Sequence, residues 1–69
     1  MIFGNAKLTA AQQTAVDRCI AAARQSSGIH TEDLPDGSQA YAYSQGHGGI
    51  AWGLNRAGDG MCIARGVKR

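Results

Sequence analysis

The hydrophobic period of this chain changes once, at Gly28, from near four residues to two, and that switch orders everything else. Before it, Thr9 to Gln25 read as a helix. Thr9 and Gln12 form a T-x-x-Q capping box, in which each side chain satisfies a backbone N–H of the first turn. Ala10, Ala11, Ala15, Ala21, Ala22 and Ala23 are strong helix formers, and neither glycine nor proline interrupts them. Val16, Cys19, Ile20 and Ala23 recur at i, i+3, i+4 and i+7 and make one apolar stripe, with Asp17, Arg24 and Gln25 on or near the wet side. Ser26, Ser27 and Gly28 stop the helix, Gly28 serving as a left-handed cap.

After the switch, Gln39 to Ser44, Ile50 to Asn55 and Met61 to Gly66 read as strands. Gly46-His47-Gly48-Gly49 and Arg56-Ala57-Gly58-Asp59-Gly60 separate them as hairpin loops. Leu34-Pro35-Asp36-Gly37-Ser38 is a turn, because proline presets φ and glycine accepts a positive one. Ile29 to Leu34 fits either a short polar strand or an extended loop. The expected architecture is α+β: one N-terminal amphipathic helix on a three-stranded antiparallel meander, four-stranded if Ile29 to Leu34 pairs. No repeat or linker divides the chain, so residues 1–69 are expected to be one domain.

The loops suggest a register. If Leu54 faces Met61, then Trp52 faces Ile63; if Tyr43 faces Ile50, then Tyr41 faces Trp52. Tyr41, Tyr43, Ile50, Trp52, Leu54, Met61 and Ile63 then share one face, while Ala40, Ala42, Ala51, Gly53, Cys62 and Ala64 share the other. A helix of this length, roughly 24 Å, covers one face of such a sheet and not both. Unless Ile2, Phe3 and Leu8 fold back over it, the second face stays apolar and open, and the seven large residues are the candidate interface.

Composition sharpens the need for a partner. The chain has 69 residues and is 43% hydrophobic, but only 6% aromatic, so its core is thin for a domain near the lower size limit. A two-fold homodimer through the open face is the simplest supplement. Cys19 and Cys62 are too few for a disulfide scaffold and are expected to be free and buried. Met1-Ile2-Phe3-Gly4-Asn5 has no charged n-region, and no apolar run approaches the roughly 18 residues of a membrane span. A cytoplasmic protein with no membrane partner is expected.

Chemistry is thinly represented. Gly46-His47-Gly48-Gly49 shares three residues with the His-Gly-Gly oxyanion segment of lipases, yet no G-x-S-x-G elbow supplies a nucleophile. Gly46-x-Gly48-x-x-Ala51 is a relaxed dinucleotide fingerprint, but a strand follows where a helix is required. His30 with Glu32 and Asp33 lacks the paired spacing of a zinc site, and both cysteines lie among apolar neighbours that raise a thiol pKa. No cofactor, metal or catalytic activity is expected.

Two function classes remain. The first is a non-enzymatic protein-binding module acting by stoichiometric association, of the inhibitor, adaptor or immunity type that phages and mobile elements often encode at this size. The second is a nucleic-acid-binding module, in which Tyr41, Tyr43 and Trp52 stack bases while Arg56, Arg65, Lys68 and Arg69 meet phosphates. The net charge of +2 is too small to favour the second. The firmest local expectation is the helix start: Thr9→Ala should destabilise the chain by about 1 kcal/mol in chemical denaturation.

Overall fold

The computed structural model describes residues 2–3, by their backbone, and residues 8–68. A short edge strand comes first, then a helix that lies over three of the strands that follow it, then a meander. β1 (Ile2–Phe3) leads to α1 (Ala10–Gln25), followed by β2 (His30–Asp33), β3 (Ser38–Ser44), β4 (Ile50–Arg56) and β5 (Cys62–Lys68). The strands lie in the order β1-β5-β4-β3-β2 and every pair is antiparallel. This is the expected α+β fold. β2 to β5 form its four-stranded body, so the Ile29 to Leu34 stretch does pair. β1 adds a short strand beside Gly66 and Arg65, along the edge of β5 and not over a face.

Local chemistry places α1 as its sequence implies. Gln12 N–H donates to Thr9 Oγ1 at 3.1 Å, and Thr9 N–H donates to Gln12 Oε1 at 2.9 Å, completing the capping box. Gln12 Nε2 also donates to Asp36 Oδ2 at 3.1 Å, which ties the helix start to the turn between β2 and β3. In that turn Gly37 has φ +87 and donates its N–H to the Leu34 carbonyl. Gly28 does take the expected left-handed conformation, φ +93, but two residues past the helix C-cap and not one. Ser26 is the C-cap, in extended conformation, and its N–H reaches Ala22 O.

The register differs from the one expected, by a single residue between β3 and β4 and by two to three between β4 and β5. Ala40 pairs with Leu54, Tyr41 with Gly53, Ala42 with Trp52 and Tyr43 with Ala51. Each cross-strand pair therefore sets a large residue against a small one. The alternative pairing would have crowded Tyr41 against Trp52 on one face and left only small residues on the other. The five-residue connection decides the matter: Gln45 N–H bonds to Gly49 O, which closes the loop with Ser44 opposite Ile50. A second shift comes from β5, where Leu54 pairs with Ala64 but Asn55 with Cys62, so Ile63 is an inserted bulge residue.

The core follows from this register. α1 lies over β3, flanked by β4 and β2. Its Ala15, Val16, Cys19, Ile20 and Ala23 bury against Ala40, Ala42, Ile50, Leu54 and Leu34. Alanines beneath the helix let it seat close, and Leu54 and Val16 are the largest side chains wholly enclosed. Leu8, Trp52 and Ile63 pack half-buried around the margin. No helix among the described residues is long and apolar enough to cross a membrane. Leu54→Ala should cost roughly 2–5 kcal/mol. That is comparable to the whole stability of a chain this small, and denaturant unfolding should show a collapsed or absent transition.

Candidate functional site

The sheet face opposite α1 is built from the outward residues of β2 to β5. Tyr41 and Tyr43 stand on β3 with ring centroids 6.4 Å apart and planes within 10°. The register sets Gly53 and Ala51 beside them on β4, with Arg65 and Val67 beyond on β5. The Tyr41 ring leans across onto β4, so closely that a Cβ at Gly53 would overlap its hydroxyl end. A glycine inside a strand commonly marks such a close approach. Burial is the main cause that raises the Tyr41 phenol above its ordinary pKa; nearby Cys62 and Tyr43 act in the same direction and Arg65 opposes them. Tyr43 and Val67 remain 41% and 40% exposed, near the end of the face beside the 45–49 loop.

The seven candidate interface residues do not share a face. Ile50 and Leu54 are buried under α1, and Trp52 and Ile63 flank that same core. Met61 precedes β5 in a loop, its Sδ 3.5 Å from Arg56 Nη2. Only Tyr41 and Tyr43 remain on the open side. Val67 lies beyond the strand expected over Met61 to Gly66, because β5 runs on to Lys68; its β-branched side chain is the strand signal that points to this.

The four candidate nucleic-acid cations are likewise scattered. Arg56 donates from Nε and Nη2 to both carboxylate oxygens of Asp59, and this pairing is the main cause holding the Asp59 carboxyl down to about 2. Arg65 lies on the tyrosine face, whereas Lys68 sits opposite Ile50 on the helix side. Arg69 lies outside the described residues. Trp52, on the helix side, cannot join Tyr41 and Tyr43 in one stacking platform.

The cysteines are free, but only Cys19 is buried; Cys62 is exposed, because the bulge places it opposite Asn55 at the end of β5. Burial raises the Cys19 thiol, with the Glu32 carboxylate adding to it, so it stays protonated at neutral pH. Among the described residues no group of His, Cys, Asp and Glu is arranged to hold a metal ion. Comparison with known proteins gives no relative: no family model, no curated protein and no solved structure matches the chain.

The contact between Tyr41 and Gly53 is testable. Gly53→Ala should displace the ring and cost about 1 kcal/mol, as overpacking does. In a Tyr41→Ala background the same change should cost at least about 0.5 kcal/mol less, as measured by a double-mutant cycle in urea.

Proposed function

We propose that this chain is a small non-enzymatic protein-binding module, acting by stoichiometric association through the sheet face opposite its helix. The observation that carries the reading is the half-exposed Tyr41–Tyr43 pair with Val67, standing on a face that no described element covers. Rigid aromatic side chains on an exposed apolar patch are characteristic of protein interfaces. A cytoplasmic setting suits its two unbridged thiols. The dispersal of Arg56, Lys68 and Trp52 away from the tyrosines weighs against a nucleic-acid platform.

A second copy is the simplest occupant. The edges of this face carry opposite charges, Arg65 on β5 and Asp33 on β2. A two-fold axis running along the strands would lay β5 of each copy over the β2 side of the other and set Arg65 level with Thr31, about 6.6 Å along the strand from Asp33 and within reach of a long side chain. Strand spacing of about 4.8 Å and rise of about 3.3 Å give β2 to β5 a face of several hundred Å², so two faces approach the roughly 1,000 Å² of a weak but specific interface.

Sedimentation equilibrium at tens of micromolar should show a concentration-dependent dimer that Tyr43→Ser shifts to monomer, with the denaturation midpoint unchanged when measured at dilutions where the wild type is monomeric. A monomer throughout, with no host protein retained in a Tyr43-dependent way, contradicts the proposal. Salt-sensitive binding of single-stranded DNA or RNA that Tyr43→Ser abolishes would overturn it in favour of nucleic acid.

A further inference from the structure

A second surface, meeting the tyrosine face only at the outer strand residues Thr31 and Asp33, lies where the helix meets the other edge of the sheet. β2 is the terminal strand of the sheet order, so one of its sides is unpaired among the described residues. Leu34 N–H bonds to Ser38 O across the turn, and antiparallel alternation then turns Glu32 and His30 inward to β3. The backbone N–H and C=O groups of Thr31 and Asp33 consequently face away from the sheet. Alongside this edge, between α1 and β2, runs an open cleft of about 320 Å³.

The cleft is built for a side chain. Cys19 and Ala22 of α1 line its helix wall, and Ile29, 63% exposed, stands beside it on the approach to β2. Its polar wall is fixed: Arg18 Nε donates to Glu32 Oε1 at 2.9 Å, and Nη2 pairs with Oε2, which clamps helix to strand. His30 Nε2 lies 3.0 Å from Ser26 O and donates to it, holding the ring at the helix end. The volume is at the low end for small-molecule pockets, which suits one inserted side chain better than an enclosed ligand.

We infer that β2 and this cleft together take an extended segment of a partner protein, added to the sheet as a further strand, with one apolar side chain seated between α1 and β2. An unpaired edge supplies main-chain hydrogen bonds, and an adjacent pocket reads alternate side chains of the added strand. The segment carries a basic residue close to the apolar one, because Asp33 stands on the same edge and Asp36 follows in the turn. A second copy fits less well here: pairing β2 with itself sets Glu32 and Asp33 of one chain beside those of the other, and like charges facing across strands are destabilising.

Selection of random linear peptides displayed on phage tests the inference directly. Enriched sequences should share an apolar residue with Lys or Arg nearby. Their synthetic forms should bind at least about tenfold more weakly to Thr31→Pro, which removes one outward N–H, and to Ala22→Leu, which fills the cleft. Proline is tolerated at an outward edge position. As a control that leaves the protein untouched, N-methylation of alternate peptide amides should weaken binding in one alternation phase only. Tyr43→Ser should leave the affinity unchanged at protein concentrations low enough for the wild type to be monomeric, which separates this surface from the tyrosine face. Absence of enrichment, or peptides indifferent to both Thr31→Pro and N-methylation, overturns the inference. So does a wild-type dimer that Thr31→Pro converts to monomer, which would give the edge to a second copy.

Discussion

Leu54 against Ala40, beneath the helix, is the contact on which the arrangement of both sheet faces depends. Leu54 is fully enclosed and Ala40 leaves room for it, so α1 can seat its own small residues directly on β3. Side chains alternate along a strand with a period of two, so choosing this pair commits every other residue of β3 and β4. Ala42 must then accept Trp52, Gly53 must lie under Tyr41, and Ala51 must sit beside Tyr43. Large opposite small recurs on both sides of the sheet. A chain with so few large apolar residues builds a packed core by interleaving them with alanine and glycine across strands.

The same commitment decides what is left outside. The helix, tied to the β2–β3 turn at its start and to β2 through Arg18 and Glu32, covers one side of the sheet, and β3 most closely. The tyrosines are directed to the other side, where the sheet twists free of any described element. At the far edge, the helix and β2 run back alongside each other and leave a cleft between them, clamped by Arg18 and Glu32. Exposed as this ion pair is, it adds little stability by itself; its geometric consequence is to fix the relative position of helix and edge strand. Both candidate surfaces thus share one cause: among the described residues one helix covers a sheet whose two faces both carry apolar residues.

Local features of the fold were legible in the sequence, because each depends on residues close together in the chain. The capping box of Thr9 and Gln12, the stripe from Val16 to Ala23, and the Pro35–Gly37 turn each carry their own cause. Register was not legible in the same way. Alternation says which residues of a strand share a side, but the loops say which side of the neighbour they meet. The Gln45–Gly49 closure and the bulge at Ile63 are backbone geometries that glycine permits without specifying. That is why Tyr41 and Tyr43 were expected beside Trp52 and Leu54, and why Cys62 was expected inside. The cleft beside β2 was illegible for a further reason: Cys19 and Ala22 meet Ile29 and His30 only through the packing of helix on edge strand.

The register is therefore the claim that matters most, and nuclear Overhauser contacts between side chains test it most directly. The account requires contacts from the Leu54 methyls to the Ala40 methyl and from the Tyr41 ring to the Gly53 α protons. Contacts from the Tyr41 ring to the Trp52 indole, together with the Tyr43 ring to the Ile50 methyls, would show the slipped pairing and contradict it.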